Sequence, residues 1–256
     1  MADSNGRFVW YELMTTDLAA ARAFYDTVVG WSSSNTNMPG MEYWMFKVGD
    51  SQAAGLMSIP EEAAKMGARP QWTGYVEVAD VDAAAALVTA NGGAVYQQPS
   101  DIPDVGRFAI IADPAGAALA LFHSAHPEMD QPASMEEPGR VGWNELYGAD
   151  PATGFDFYAK LFGWQKQQAM DMGDMGPYQM FGFGEMMLGG MMKLPPNVPT
   201  ANWTYYFNVG NIDEAAERVK AAGGQVVAEP MEVPGGGWVL RAADPQGAGF
   251  ALIGRR

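Results

Sequence analysis

Cysteine is absent from the 256 residues, and histidine occurs only at positions 123 and 126. Without a thiol the chain can build no disulfide framework, thiolate nucleophile, cysteine zinc site or iron–sulfur centre. Two imidazoles three residues apart do not supply a centre that draws histidines from several strands. Basic residues are scarce as well: 15 Lys and Arg stand against 30 Asp and Glu, a formal charge of −15. Nucleic-acid binders grip phosphates with basic patches, so no nucleic-acid partner is expected. No apolar run approaches the roughly 18 residues of a membrane span, so no membrane partner is expected. The opening MADSNGRFVWYEL lacks the basic and apolar regions of a signal peptide. A cytoplasmic location is therefore the expectation. Nucleotide and hydrolase signatures are missing too, and Gly235-Gly236-Gly237 lacks the strand–turn–helix setting of a phosphate loop.

Apolar residues are plentiful, at 48% with 12% aromatics, enough for one large or two ordinary cores. Self-similarity decides between them. FVWYELMTTDLAAARAFYDTVVGW (8–31) returns as VGWNELYGADPATGFDFYAKLFGW (141–164), with Trp10, Glu12, Asp17, Phe24, Tyr25 and Trp31 answered by Trp143, Glu145, Asp150, Phe157, Tyr158 and Trp164. YWMFKVGDSQAAGLM (43–57) matches YQMFGFGEMMLGGMM (178–192). WTGYVEVADVDAAAALVTANGG (72–93) matches WTYYFNVGNIDEAAERVKAAGG (203–224), and IADPAGAALALF (111–122) matches AADPQGAGFALI (242–253). Four blocks in one order mean two copies of one domain, expected at 1–123 and 140–256. The segment 124–139, with three prolines and four acids, reads as a linker.

Within each copy the pattern predicts a strand (8–14; 141–147) and then a helix opened by Asp17 or by Asp150-Pro151, an acidic N-cap followed in one case by proline. Strands are expected at 43–48 and 54–58 about a Gly49-Asp50 turn. A strand at 73–78 leads to a helix from Asp80 whose Val81, Ala84, Ala85 and Val88 keep helical spacing, closed by Asn91-Gly92-Gly93. Strands near 107–112 and 117–122 flank Asp113-Pro114-Ala115-Gly116. The segments 32–42 and 165–177 read as loops.

That order, with Asp17…Phe24-Tyr25…Gly30-Trp31, Gly92-Gly93 and Asp113-Pro114-x-Gly116 all occurring twice, resembles the vicinal oxygen chelate superfamily of glyoxalases, bleomycin-resistance proteins and extradiol dioxygenases. The Trp-x-Glu-Leu opening is similar to that of tandem glyoxalase-like proteins of actinobacteria. The resemblance implies an α+β fold: four βαβββ units forming two tandem glyoxalase-like domains with cupped mixed sheets. It also implies that the copies pair within the chain, leaving a monomer or a homodimer. In the superfamily a divalent metal is held inside the cup by His and Glu. Those ligand positions carry over to Trp10 and Trp143, to 54–57 and 189–192, to Thr73 and Thr204, and to Ala120 and Ala251. None offers an imidazole or carboxylate, so no metal and no other cofactor is expected.

Strand alternation then puts Trp10 with Glu12, and Trp143 with Glu145, on the cup face. Glu12 and Glu145 are the candidate catalytic residues, as general bases, unless they only hydrogen-bond the fold together. Trp10, Glu12, Thr73, Tyr75, Trp143, Glu145, Thr204 and Tyr206 are the candidate substrate-binding residues, suited to a small molecule in a mostly apolar pocket. The aromatic members serve equally as packing. The expected function is metal-free binding of a small, partly apolar molecule, of sequestration or resistance type. A metal-independent lyase, isomerase or accessory hydroxylase-type enzyme is the alternative, and a metalloenzyme using Glu12, Glu77 and Glu145 the weaker one. Eight methionines between Met170 and Met192 fill a core or an adaptable surface, with Met170, Met172 and Met175 a candidate lid. His123 and His126 read as surface residues, Arg107 as an ion-pairing one, and Arg241 as either an ion-pairing or an anion-recognising one.

Overall fold

A computed structural model describes residues 5–38, 40–127, 134–148, 150–195, 198 and 200–256. The first module is β1 (Phe8–Thr15), α1 (Leu18–Val28), β2 (Ser32–Asn35), β3 (Tyr43–Val48) and β4 (Ser51–Ser58), followed by a short helix α2 (Glu61–Lys65). The second is β5 (Gln71–Glu77), α3 (Val81–Ala90), β6 (Ala94–Ile102), β7 (Gly106–Ala112) and β8 (Ala118–Ser124). The third is β9 (Val141–Gly148), α4 (Pro151–Phe162), β10 (Gln165–Asp171), β11 (Pro177–Phe183) and β12 (Met186–Lys193). The fourth is β13 (Asn202–Asn211), α5 (Ile212–Ala221), β14 (Gln225–Val233), β15 (Gly237–Ala243) and β16 (Gly249–Arg255).

The strands form two mixed eight-stranded sheets of the same order, β2-β3-β4-β1-β5-β8-β7-β6 and β10-β11-β12-β9-β13-β16-β15-β14. Within each module the first and last strands run parallel, β1 with β4, β5 with β8, β9 with β12 and β13 with β16. The helix of each module supplies the crossover that a parallel pair requires. Each of these four crossover helices starts where a short polar side chain satisfies an orphan backbone N–H. Asp17 accepts from Ala20, Asp80 from Ala83, Asp150 from Ala152 and Thr153, and Asn211 from Glu214. No helix among the described residues is long and apolar enough to cross a membrane.

Two segments expected to be loops contain strands. Residues 32–35 form β2 and 165–171 form β10, each at the outer edge of its sheet. Their sequences, SSSN and QKQQAMD, show no apolar alternation because an edge strand is held by its backbone ladder and faces water along much of its length. Of the candidate lid residues, Met170 is thus on a strand, and Met172 and Met175 are in the turn that follows. Met170 lies on β10 opposite Tyr178, and the turn beyond it is tied by Met172 N–H donating to Gly176 O. Residues 128–133 of the expected linker lie outside the described residues. Its later part is anchored: Gly139 N–H donates to Asn208 O, and Asn208 Nδ2 donates to Met135 O at 2.7 Å.

The chain packs as two compact units, Met1–Val9 with Gly74–Pro132 and Asn144–Trp203, and Trp10–Thr73 with Ala133–Trp143 and Thr204–Arg256. The same buried device occurs at the heart of each. In the first, Tyr158 from α4 is fully buried. Its Oη donates to Asp113 Oδ2 at 3.1 Å and accepts from Trp203 Nε1 at 3.1 Å. In the second, Tyr25 from α1 donates to Asp244 Oδ2 at 3.2 Å and accepts from Trp72 Nε1 at 2.8 Å. The other aspartate oxygen is occupied by its own turn: Asp113 Oδ1 takes the N–H groups of Ala115 and Ala117, and Asp244 Oδ1 those of Gln246 and Ala248. Closing that turn requires a left-handed residue, Gly116 or Gly247, each at φ +94°. Aromatic rings close over both tyrosines: Trp164, Trp203 and Phe162 lie within 6.0 Å of the Tyr158 centroid, and Trp31, Trp72 and Phe250 within 6.0 Å of Tyr25.

Removing either tyrosine hydroxyl leaves a buried indole N–H and a carboxylate oxygen short of a partner. Y25F and Y158F are each expected to lose about 1–3 kcal/mol of stability, read from urea unfolding midpoints. Burial lifts the Asp113 and Asp244 carboxyls above the ordinary range, partly offset by the backbone N–H donors of the turns. A carboxyl raised in the folded state contributes stability that is complete below the unfolded value of about 3.9. That contribution is lost as pH rises through the folded value. D113N and D244N should therefore flatten the fall in unfolding midpoint as pH rises from the unfolded value toward neutrality. Midpoints that keep the wild-type slope would contradict the assignment.

Candidate functional site

Strand β1 carries Trp10, Glu12 and Met14 on one face, with Glu12 in register with Gly55 and Met14 with Met57 on β4. Strand β3 adds Tyr43 opposite Met57 and Met45 opposite Gly55. These seven residues therefore share one surface, all within the second compact unit. Glu12 is buried, while Trp10, Met14, Tyr43, Met45 and Met57 are half-buried. Tyr43 Oη donates to Glu12 Oε2 at 2.9 Å and accepts from Trp10 Nε1 at 3.3 Å. A Cβ at Gly55 would overlap Tyr43 Oη, so the missing side chain lets the phenol lie across β4 and reach the carboxylate. Burial pushes the Tyr43 phenol well above its ordinary value, and the Glu12 charge pushes it further. Tyr43 is thus a neutral donor, and the carboxylate is its acceptor.

The other copy repeats the arrangement within the first unit. Glu145 is buried and stands opposite Gly190, and a Cβ at Gly190 would overlap the ring and hydroxyl of Tyr178. Met180 is opposite Gly190 and Met192 opposite Tyr147. Glu, Tyr, Met, Gly and Met thus recur as 12, 43, 45, 55, 57 and 145, 178, 180, 190, 192. Tyr43, Tyr178, the two glycines and the paired methionines escaped the sequence reading as site residues. The signal was present in the matched blocks 43–57 and 178–192, whose Tyr-x-Met and Gly-x-Met recur in register.

The remaining candidates divide between the units. Thr73, Thr204 and Tyr206 are buried in the second unit, and Tyr75 is buried in the first. Tyr75 lies opposite Ala120 and packs on Phe108 and Phe122 at centroid distances of 6.4 and 6.2 Å. Tyr206 clusters with Val239 and Ala251, and Trp143, Val233 and Ile253 pack against that cluster. His123 is more than a surface residue: its Nδ1 lies 2.9 Å from Glu77 Oε1 and 3.0 Å from Val78 O, and Glu77 is buried. Sequence reasoning missed this pair because Glu77 and His123 are 46 residues apart. Arg107 forms the expected exposed ion pairs, with Asp82 at 2.6 Å and Asp101 at 2.7 Å. Among the described residues no three His, Asp or Glu side chains come together as a metal-holding group, so Glu12, Glu77 and Glu145 do not make one.

The repeated sheet order is that of a tandem member of a known superfamily. The family described as Glyoxalase/Bleomycin resistance protein/Dioxygenase superfamily matches residues 140–252, and the one described as Bleomycin resistance protein-like N-terminal matches residues 7–49. The chain is 35% identical over 247 residues to the putative glyoxylase CFP32 of Mycobacterium tuberculosis, covering 95% of this chain and 93% of that protein. It is 29% identical over 262 residues to the anthracycline biosynthesis protein DnrV of Streptomyces peucetius, covering 97% and 93%. Among solved structures, the 2,2′,3-trihydroxybiphenyl 1,2-dioxygenase of Sphingomonas wittichii shares the fold at TM-score 0.68 and 13% identity, over 98% of this chain and 91% of that one. The Mn(II)-bound glyoxalase of Novosphingobium aromaticivorans does so at TM-score 0.63 and 16% identity, over 98% and 82%. The chain belongs to the glyoxalase/bleomycin resistance/dioxygenase superfamily.

Glycine at position 55 is a requirement of the Tyr43–Glu12 bond. G55A should destabilise the protein by about 1–3 kcal/mol through overpacking. Shortening the tyrosine in the same chain, as G55A/Y43A, should recover part of that loss in urea unfolding. A G55A protein as stable as wild type would contradict this arrangement.

Proposed function

We propose that the chain is a metal-free binding protein of its superfamily that takes a small, partly apolar molecule in its cups, as in sequestration or resistance. The observation that carries this reading is the Trp10–Tyr43–Glu12 relay lying across Gly55 among Met14, Met45 and Met57. In the superfamily a carboxylate or imidazole on the fourth strand would complete a metal site. Here that stretch is Ala54-Gly55-Leu56-Met57, and a tyrosine hydroxyl takes the room. The other inherited positions hold Trp10, Thr73 and Ala120, and in the second copy Trp143, Thr204 and Ala251, so the donor set does not fit a divalent ion. An indole, a phenol, flexible thioethers and one buried carboxylate instead make an adaptable apolar surface with a single polar anchor. Likeness to a bleomycin-resistance N-terminal region and to an anthracycline biosynthesis protein supports a small organic ligand.

A second reading, a metal-independent lyase, isomerase or accessory hydroxylase-type enzyme with Glu12 or Glu145 as general base, is favoured by the buried carboxylate already hydrogen-bonded to Tyr43. The two readings separate on E12Q and E145Q, with 2-naphthol as fluorescent probe and mass spectrometry of compounds incubated with the protein. A binding protein should keep probe affinity within about tenfold, roughly 1.4 kcal/mol, and convert nothing. Conversion by wild type that E12Q or E145Q abolishes, with binding retained, would replace the first reading by the second. Variants that fail to fold would assign the carboxylates to the scaffold.

A further inference from the structure

We propose that Arg241 makes the surface it shares with Trp143 and Tyr206 selective for flat apolar molecules bearing a carboxylate or comparable oxyanion; this rests on the binding reading above. Arg241 on β15 stands directly opposite Ala251 on β16, and Ala251 stands opposite Tyr206 on β13. Residues opposite one another across a ladder project from the same face of a sheet. Two residues along β15, Val239 pairs with Ile253, and both join the cluster of Tyr206 and Ala251 against which Trp143 packs. The guanidinium therefore arises from the face that carries Trp143, Tyr206, Val239 and Ile253, all in the second compact unit.

The first copy places Ile110 at the same station, opposite Ala120, which in turn stands opposite Tyr75. Around it lie Phe108 and Phe122, opposite each other in the ladder. One copy thus has a hydrocarbon where the other has a half-buried cation, although the flanking alanine and tyrosine are the same. Fold requirements do not explain the difference, since the isoleucine satisfies the same register in the same fold. Withdrawing a guanidinium from water beside an aromatic and aliphatic cluster is costly. A planar fork with several N–H donors is matched to a carboxylate, and an aromatic wall of Trp143 and Tyr206 is matched to a flat ring. Arg241 is already engaged in the free chain, so an incoming anion exchanges partners and the expected gain is moderate.

The test compares 2-naphthoate with 2-naphthamide, equal in shape and different in charge, by calorimetric titration of the full chain. Wild type is expected to show one site that binds naphthoate about tenfold more tightly than naphthamide. R241I, which installs the residue of the first copy, should lower naphthoate affinity at that site about tenfold and leave naphthamide within about twofold. R241Q serves the same purpose should the isoleucine variant unfold. Naphthamide binding without any naphthoate preference, or a preference that survives both variants, overturns this inference and leaves the binding reading standing. Failure of wild type to bind either compound overturns both.

Discussion

A tyrosine hydroxyl buried between an indole N–H and an aspartate carboxylate is the interaction on which the rest of this architecture depends. It occurs once in each compact unit, as Trp203–Tyr158–Asp113 and as Trp72–Tyr25–Asp244. Each group would be costly to bury alone, and together they satisfy one another. The aspartate also closes the turn between two strands, while the tyrosine comes from a helix of the other repeat copy. Helix, turn and sheet are thereby fixed at one point, with aromatic rings excluding water around it. The Phe-Tyr and Asp-Pro-x-Gly motifs that betray the duplication are this tie.

Freed from structural duty, the inward faces of the sheets diverge in their chemistry. Glu12 and Glu145 keep the same station opposite a glycine, and a tyrosine from the neighbouring strand lies over each glycine. Such a surface supplies one acceptor, one neutral donor and polarizable sulfur, a set that suits organic ligands better than hard ions. Further along the sheets, Ile110 and Arg241 occupy equivalent positions with opposite solvation preferences. Duplication thus preserves the scaffold while the two candidate surfaces differ.

Much of the fold was legible in the sequence because its signals are local. The N-caps Asp17, Asp80 and Asp150, the glycine turns, and the helical spacing of Val81, Ala84, Ala85 and Val88 all act within a few residues. Strands β2 and β10 were not legible, because edge strands are held by backbone pairing that leaves no apolar stripe. Trp10, Glu12 and their second-copy counterparts followed from the repeat and strand parity. The tyrosine bonded to Glu12 did not, since Tyr43 reaches Glu12 only through the absence of a side chain at Gly55. The Glu77–His123 contact was equally hidden, because it forms across two parallel strands far apart in sequence.

The central claim is that the cups have exchanged a metal for an aromatic and carboxylate surface. Titration of the full chain with Mn(II), followed by electron paramagnetic resonance of the free ion, tests it directly. The account predicts a free-ion signal that rises linearly from the first addition, with no saturable site at micromolar concentrations. Stoichiometric uptake of about one ion per cup would contradict it, since that requires a nitrogen and oxygen donor set these residues do not provide.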